Sequence, residues 1–284
     1  MGLNRDFIDR EYKSEIVITA EDVASYASAI GANDKITNPI AAPPCFSAAY
    51  ELPLIYKILE DTNLHGSKEQ FENNMLMMVH GDQHLKFYNP INPSDEIAYY
   101  AKIEDIEDRG SGEVLRFRVF STNQNGDKVV ESNWGLFIRG IGSGKRPERR
   151  SPKTKYVLDS KKLIFTKTIK IPLDITHKYS KASNDMNPIH LDDEFAKGAG
   201  LPGIVVHGMC TMAMTAEGFV ADYLNNNSSN LLSLGVRFAA PVFPGDELQI
   251  EASTTSEDNK LAFHVVRKSD GIRVIRDGLL ETKI

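Results

Sequence analysis

The residues with the clearest chemical potential lie at positions 179–190, in the segment Tyr-Ser-Lys-Ala-Ser-Asn-Asp-Met-Asn-Pro-Ile-His. Asp185 precedes His190 by five positions, a spacing at which side chains diverge on a continuous helix. Pro188 prevents this outcome, because it disfavours helix at Asn187 and has no backbone N–H to donate. The resulting turn can bring carboxylate and imidazole together around one water molecule, which indicates general acid–base catalysis. Taken alone, the two residues also fit a helix cap and a surface histidine.

A second segment, residues 201–212, offers a backbone that can stabilise an anion. Pro202 and Gly203 predict a turn, and the apolar run near Gly208 predicts the start of a helix. N–H groups at a helix start are unpaired, and the helix dipole favours negative charge there. Gly208 lets a thioester or amide oxygen approach this backbone, as in an oxyanion hole. Packing of the glycine against a sheet is the alternative, and His207 is expected to be packed or hydrogen-bonded, not catalytic.

The composition excludes several classes of protein. The chain has 284 residues, 41% of them hydrophobic, and 39 acidic against 33 basic side chains give a net charge of −6. Such a chain can bury one large or two medium cores, and it lacks the basic face that nucleic-acid binding needs. Its two cysteines, Cys45 and Cys210, lie 165 positions apart. We therefore expect buried thiols in a reducing compartment and no disulfide framework.

Neither a targeting segment nor a membrane segment is predicted. Residues 1–15 carry charges throughout and lack the apolar run of a signal peptide. The longest stretch without Asp, Glu, Lys or Arg, residues 198–216, contains Pro202 and four glycines, which argues against a spanning helix. The expectation is a soluble, cytoplasmic protein without a membrane partner.

A tandem repeat organises the chain. The segment Phe-Tyr-Asn-Pro-Ile-Asn-Pro-Ser-Asp-Glu-Ile from Phe87 matches Phe-Ala-Ala-Pro-Val-Phe-Pro-Gly-Asp-Glu-Leu from Phe238, at an offset of 151 residues. Asn33-Asp34 matches Asn184-Asp185 at the same offset. Two matches at one offset indicate a duplication.

Each half also predicts the same order of elements. The predicted helices span residues 20–30 and 46–59 in the first half, and residues 173–182 and 205–224 in the second. The predicted strands span residues 96–106, 113–120 and 128–138, and then residues 247–254, 261–267 and 272–282. A long apolar helix followed by antiparallel strands needs a sheet wrapped around it, which is an α+β fold. We expect a first domain at 1–139, a linker at 140–155 and a second domain at 156–284.

The linker is strongly basic. Residues 140–155 contain six basic side chains and one acid, Glu148, and they are rich in Gly, Ser and Pro. A solvated linker explains this composition. The alternative is that Arg149 and Arg150 meet an anionic ligand such as a nucleotide phosphate.

Residues 179–196 resemble the signature of the MaoC-like, (R)-specific enoyl-CoA hydratases, also called hydratase 2. That signature has an aromatic residue, then Ser-Gly-Asp-x-Asn-Pro-x-His, then a small residue six positions later, here Ala196. His207-Gly208-Met209 and residues 237–246 are also similar to the family, and the resemblance covers most of the chain. It implies a tandem (double) hot-dog, two long helices wrapped by antiparallel sheet. Asn184 departs from the pattern, because the family usually has Gly there.

The resemblance implies reversible syn hydration of trans-2-enoyl thioesters to (R)-3-hydroxyacyl thioesters in fatty-acid metabolism. Asp185 and His190 would act on one water, either of them moving the proton, and the Gly208 N–H would polarise the thioester carbonyl. The substrate-binding residues expected beside them are Tyr179, Asn187, His207, Met209 and Arg237. The implied partner is an acyl-CoA or acyl carrier protein thioester, with no cofactor and no metal, and a homodimer is compatible with the sequence.

The first half is predicted to be a degenerate, acyl-binding copy. Asn38-Pro39-Ile40-Ala41 corresponds to Asn187-Pro188-Ile189-His190, with alanine in place of the histidine. We therefore expect one active site per chain. The methionine-rich residues 71–79 can line an acyl tunnel, although an ordinary core or a lid edge fits them equally well.

Two other functions stay open at this point. One is a hot-dog acyl-CoA thioesterase, against which the Asp-x-Asn-Pro-x-His pattern argues. The other is a non-catalytic acyl-thioester binding subunit, against which the intact acid–base pair argues.

Overall fold

The structure, a computed structural model, describes residues 2–32, 41–145 and 156–283. Its helices are α1 (Ala20–Ile30), α2 (Ala48–Leu59), α3 (Thr62–His65), α4 (Lys68–Met77), α5 (Ile175–Ser183), α6 (Asp193–Gly198) and α7 (Gly208–Asp222). Its strands are β1 (Glu11–Val17), β2 (Met78–Phe87), β3 (Glu96–Asp108), β4 (Gly112–Thr122), β5 (Lys128–Arg139), β6 (Leu163–Lys170), β7 (Leu231–Phe238), β8 (Glu247–Thr254), β9 (Lys260–Arg267) and β10 (Arg273–Thr282). A 3-10 turn at Pro188–His190 lies between α5 and α6.

These ten strands form a single antiparallel sheet in the order β1-β3-β4-β5-β2-β7-β10-β9-β8-β6. Read outward from the central β2–β7 pair, the order is β5, β4, β3, β1 on one side and β10, β9, β8, β6 on the other. The central pair runs in register from Asp82↔Arg237 to Lys86↔Ser233. Each half thus repeats the same arrangement, and the predicted α+β double hot-dog is confirmed.

The two copies of the repeated sequence motif form the same turn. Asp95 Oδ2 accepts a hydrogen bond from the Asn92 N–H at 2.7 Å, and Asp246 Oδ2 accepts one from the Phe243 N–H at 2.8 Å. Both carboxylates therefore close the turn that precedes the third strand of their half. The sequence offset of 151 residues corresponds to equivalent positions in the fold, which supports the duplication.

The long helices α2 and α7 supply much of the core on the helix side of the sheet. In α7, every residue from Met209 to Val220 is buried, so this part of the helix is enclosed around its whole circumference. A Cβ added at Gly218 would lie 2.9 Å from Ile250, which shows how closely this helix approaches β8. Cys45 and Cys210 are both buried and unpaired, as expected.

Each predicted helix and strand is present in the structure, with ends that agree to within a few residues. Four strands of the structure were not predicted. These are β1, β2, β6 and β7, of which β2 and β7 join the two halves. In β2, the sequence Met-Val-His-Gly-Asp-Gln-His-Leu-Lys-Phe shows no alternation of apolar and polar residues. Its strand conformation follows from pairing with β5 and β7 on its two sides, which is a non-local cause.

Several expectations fall on residues beyond the described ranges. They concern Asn38-Pro39-Ile40 of the first copy and, in the basic linker, Arg149 and Arg150. The methionine-rich segment is described, and it forms most of α4 and the start of β2. Among the described helices, none combines the length and the apolar character that crossing a bilayer requires.

A buried acid anchors α2 to the sheet. Glu51 has no exposed surface, and its carboxylate accepts hydrogen bonds from Ser132 Oγ at 2.6 Å and from Trp134 Nε1 at 2.7 Å, both on β5. Burial raises the pKa of Glu51 to about 7, because these donors offset only part of the cost of burying a charge. Helix α2 is therefore fixed to β5 by a carboxyl group that binds its proton more tightly in the folded chain.

The raised pKa of Glu51 predicts a pH-dependent stability. Its stabilising contribution is complete below pH 4.5 and is lost as the pH rises through about 7, since the unfolded chain releases the proton first. Glu51→Gln cannot ionise, so the stability of the wild type relative to this variant should fall by about 2 kcal/mol between pH 5 and pH 8. Chemical denaturation of both proteins across this range measures the difference, and a difference independent of pH would contradict the prediction.

Candidate active site

The candidate site forms where α5 ends. Asn184 caps the helix in the left-handed conformation, with φ 58°, and so turns the chain away from the helix axis. Asn187 then caps the 3-10 turn, its Oδ1 accepting from the Ile189 N–H at 3.2 Å, and Pro188 occupies the first position of that turn. The two turns bring Asp185 and His190 together. One ligand atom each of Asp185, His190 and His207 lies within 4.8 Å of the others.

The Asp185 carboxylate is buried and held by one of its oxygens. The side chain is 8% exposed, and Oδ1 accepts from the Tyr56 hydroxyl at 2.9 Å and from the Asn187 N–H at 3.2 Å. Within the described residues, Oδ2 accepts no hydrogen bond. This oxygen is therefore the one available to a water molecule or a substrate group.

The His190 ring has a defined tautomer. Its Nδ1 lies 2.8 Å from the Val205 carbonyl oxygen, which can only accept, so Nδ1 carries the proton. The lone pair is then on Nε2, and His190 as a whole is 7% exposed. The His190 ring also stacks on the His207 ring, with centroids 3.7 Å apart and planes 27° apart.

The electrostatic balance leaves Asp185 ionised and His190 neutral near pH 7. Burial by itself would raise the pKa of Asp185, but the His207 and His190 imidazoles, the Tyr56 hydroxyl and the Asn187 N–H together hold it below its usual value. Burial lowers the pKa of His190, and the nearby Asp185 charge opposes this only in part. Both groups therefore present a lone pair, and both can accept a proton from the same water.

His207 connects this pair to the start of α7. Its Nε2 lies 3.2 Å from the Asp185 carbonyl oxygen and 3.1 Å from Ser180 Oγ, while its Nδ1 has no hydrogen-bond partner among the described residues. Burial, together with His190, lowers the pKa of His207 to about 3, so this ring is neutral. His207 is thus a packed and hydrogen-bonded residue, as its sequence context predicted.

Gly208 is the first residue of α7, directly after His207. The first hydrogen bond of the helix runs from the Thr211 N–H to the His207 carbonyl oxygen at 3.1 Å, so the Gly208 N–H lies ahead of the intrahelical ladder. A Cβ at Gly208 would lie 3.3 Å from the Phe238 ring, tighter than most side-chain contacts. The absence of a side chain therefore serves both the packing of Phe238 and the access of an oxygen atom to the helix start.

The other predicted substrate residues have different surroundings. Asn187 supports the turn as described above. Tyr179 has no exposed surface, its hydroxyl lies 3.2 Å from that of Tyr26, and its ring is 5.0 Å from His207. Met209 is 2% exposed within α7. Tyr179 and Met209 are thus packed beside the site, and their contact with substrate stays a prediction. Arg237 is exposed on β7, 3.9 Å from Asp277.

Two residues of the first half also reach this site, and sequence reasoning missed both. Tyr56 on α2 donates to Asp185, and His80 on β2 stacks on Trp134 at 4.9 Å and lies 4.7 Å from Phe238. His80 is close enough to Asp185 for the carboxylate to raise its pKa, although burial dominates and lowers that pKa to about 4. A polar cluster at His80-Gly81-Asp82 was the one signal available for His80, and Tyr56 had none.

The hydrogen bonds of the cluster define which of its nitrogen atoms are engaged. The His190 and His207 rings are stacked, with centroids 3.7 Å apart. The Nδ1 of His190 and the Nε2 of His207 each lie within hydrogen-bonding distance of a backbone carbonyl oxygen. The free lone pairs on Asp185 and His190 fit a water molecule between them.

The departure at Asn184 has a structural explanation. Its φ of 58° lies in the region where glycine is unstrained and where asparagine is among the best tolerated of the other residues. Its Nδ2 also donates to the Ala49 carbonyl oxygen at 3.0 Å, which ties the turn to the start of α2. The substitution therefore preserves the turn and adds a contact between the halves.

Substitutions at Asn184 should separate backbone strain from side-chain bonding. Asn184→Ala keeps a Cβ in the left-handed conformation and loses the bond to Ala49, whereas Asn184→Gly loses the bond but removes the strain. We expect the alanine variant to be less stable than the glycine variant by about 1 kcal/mol. Urea unfolding of both variants beside the wild type measures this, and equal or reversed stabilities would contradict the assignment.

Comparison with known proteins gives matches in both halves. Residues 158–274 match the family described as MaoC like domain, and residues 17–140 match the MFE-2 hydratase 2 N-terminal domain. The chain is 28% identical over 271 residues to a probable enoyl-CoA hydratase 2 of Dictyostelium discoideum, covering 93% of this chain and 91% of that protein.

Longer relatives and a solved structure are also similar. The chain is 30% identical over 209 residues to the peroxisomal multifunctional enzyme type 2 of Mus musculus, covering 73% of this chain but 28% of that protein, so it spans less than a third of the mouse enzyme. A MaoC-like dehydratase from Phytophthora capsici superimposes with a TM-score of 0.81 at 23% identity, covering 99% of each chain.

Proposed function

Since the chain belongs to the MaoC-like hydratase 2 family, we propose that it is a hydro-lyase that hydrates trans-2-enoyl thioesters to (R)-3-hydroxyacyl thioesters, reversibly, in fatty-acid metabolism. Similar proteins are named for the same reaction or its reverse, among them a 3-hydroxyacyl-thioester dehydratase of Mycobacterium tuberculosis. The observation that carries the proposal is the proximity of the Asp185 carboxylate and the His190 imidazole, beside a helix that begins with glycine.

The proposed reaction uses one water molecule. The water donates hydrogen bonds to Asp185 Oδ2 and His190 Nε2, and its oxygen forms a bond to C3 of the enoyl group. Imidazole is ordinarily the stronger base, so His190 takes the proton while the Asp185 carboxylate stabilises the imidazolium. His190 then gives this proton to C2. Because both additions come from the same side, the product has syn stereochemistry.

Gly208 takes the developing charge. As the water adds to C3, electrons move from the double bond towards the thioester carbonyl oxygen, which becomes negative. Gly208 begins α7, so its N–H and the positive end of the helix dipole would stabilise such an oxygen. His207 joins the start of this helix to the turn that carries Asp185, so the acid–base pair and the oxygen site are fixed relative to each other.

The first half also contributes residues to this site. Its β2 places His80 against Phe238, which in turn packs on Gly208. In α4 and the adjoining strand, Met75 and Met78 pack partly against the core and Met77 is exposed, and lining of the acyl tail by this segment stays a prediction. One active site per chain, a homodimer and a cytoplasmic location also stay predictions; several relatives are named as peroxisomal.

The reaction and the acid–base pair can be tested together with crotonyl-CoA. Loss of the conjugated enoyl absorbance should be seen with wild type and fall by about 10²- to 10⁴-fold in Asp185→Asn and His190→Ala, because each removes one of the two groups that hold the water. Coupling to an (R)-specific 3-hydroxyacyl-CoA dehydrogenase should report the product. An (S)-specific dehydrogenase serves as the matched control.

Other outcomes would separate the alternatives. Release of free thiol without hydration would indicate a thioesterase. Binding of the thioester without turnover would indicate a binding subunit. Full activity in either variant, with circular dichroism showing both folded, would exclude the assigned pair.

The pKa directions predict an unusually acid-tolerant enzyme. Activity requires Asp185 ionised and His190 neutral, and both pKa values lie below their ordinary values. On the acidic side of the profile, the pH at which kcat/KM is half-maximal should therefore lie below about 6.5, the usual pKa of histidine. A half-maximal point above pH 6.5, with the fold intact by circular dichroism, would contradict this assignment.

A further inference from the structure

Helix α2 of the first half places a hydroxyl group on the carboxylate of the second half. Tyr56 lies 129 positions before Asp185, and its hydroxyl donates to Asp185 Oδ1 at 2.9 Å. We propose that Tyr56 is a positioning residue for catalysis: by occupying Oδ1 from the first half, it leaves Oδ2 as the oxygen that holds the reacting water. The inference rests on the proposed hydratase function and adds to it a contribution from the first half of the chain.

The hydrogen bonds of the Asp185 carboxylate support a positioning role for Tyr56, because its two oxygens have different partners. Oδ1 accepts two hydrogen bonds, one from Tyr56 and one from the Asn187 N–H at 3.2 Å, whereas Oδ2 accepts none within the described part of the chain. The Asn187 N–H belongs to the same turn as Asp185 and holds the carboxylate from one side. Tyr56 approaches from another element, so the pair of donors restrains rotation of the carboxylate about its Cβ–Cγ bond.

Tyr56 is itself held in place. Its ring is half-buried and packs against the core, and Glu51, on the same helix, is bonded to Ser132 and Trp134 of β5. Helix α2 therefore cannot move its hydroxyl freely relative to the sheet. The contact from Asn184 Nδ2 to the Ala49 carbonyl oxygen joins the same helix to the turn that carries Asp185.

Tyr56 also stays a hydrogen-bond donor throughout the working pH range. Burial and the Asp185 charge raise its pKa well above the ordinary value, and the side chain of Asn187, which bonds to it, opposes this only in part. A neutral hydroxyl that always donates stabilises the ionised carboxylate at every pH of interest. The other titratable groups that act on Asp185 are His190 in the 3-10 turn, His207 before α7 and His80 on β2.

The test is Tyr56→Phe, which removes the hydroxyl and keeps the ring. Loss of a hydrogen bond to a charged group should lower kcat with crotonyl-CoA by about tenfold or more. It should also move to higher pH the part of the acidic limb of the kcat profile that reports protonation of Asp185, because Asp185 loses a donor that favours its ionised form. A structural role of the ring would not move this limb.

Tyr50→Phe is the matched control. Tyr50 lies on the same helix and is buried, and its hydroxyl is hydrogen-bonded to Ser121 Oγ on β4 at 3.0 Å. The variant therefore removes a tyrosine hydroxyl that does not contact Asp185. We expect its pH profile to match that of wild type. If Tyr56→Phe has the same kcat and the same acidic limb as wild type, the proposal is overturned.

A second variant keeps the test decisive if Tyr56→Phe does not fold. Replacing Tyr56 by 3-fluorotyrosine keeps the hydroxyl and makes it a stronger donor, so the part of the acidic limb that reports protonation of Asp185 should move to lower pH. No movement would overturn the proposal. An inactive wild type would instead reject the hydratase function itself, so the two failures are distinguishable.

Discussion

A buried, ionised carboxylate is the constraint on which the rest of the site depends. Asp185 is 8% exposed, and an isolated charge in such a place would cost several kcal/mol if nothing compensated it. The compensation comes from four directions: a hydroxyl on α2, a backbone N–H in its own turn, and imidazoles before α6 and α7. None of these groups can move away without raising the carboxylate pKa. The end of α5, the start of α7 and helix α2 must therefore hold fixed relative positions.

The sheet supplies those positions through its central pair of strands. Because β2 and β7 are hydrogen-bonded, His80 of the first half faces Phe238 of the second, and Phe238 covers Gly208. On the other side of His80 lies Trp134, whose indole N–H is bonded to Glu51 on α2. A continuous series of contacts thus runs from the buried acid of the first half to the helix start of the second. The first half thus serves as the frame of the site.

The sequence predicted local features well and long-range ones poorly. Pro188 required a turn, and that turn is sufficient to bring Asp185 and His190 together, so the pair could be inferred from one segment. Tyr56 could not, since nothing in its helix distinguishes it from a packing tyrosine and its partner lies 129 residues away. Tyr179 and Met209 lie within family-like motifs and are both buried, and their contact with substrate stays a prediction. Strand β2 escaped prediction because pairing with β5 and β7, and no sustained local pattern, determines it. Strand β7 did carry a local signal that the prediction missed, since Leu232, Leu234, Val236 and Phe238 alternate with polar residues or glycine.

The pseudo-symmetric order of the ten strands has an evolutionary consequence. In a dimer of two identical single-copy chains, every substitution is made twice, and a helix that begins beside one active site must also border the other. Joining the copies in one polypeptide removes that coupling. The helix of one copy can retain the glycine at its start, while the corresponding helix of the other acquires a tyrosine in its last turns and a buried acid in its first. Covalent linkage thus allows two once-equivalent helices to specialise in opposite ways while sharing a single sheet.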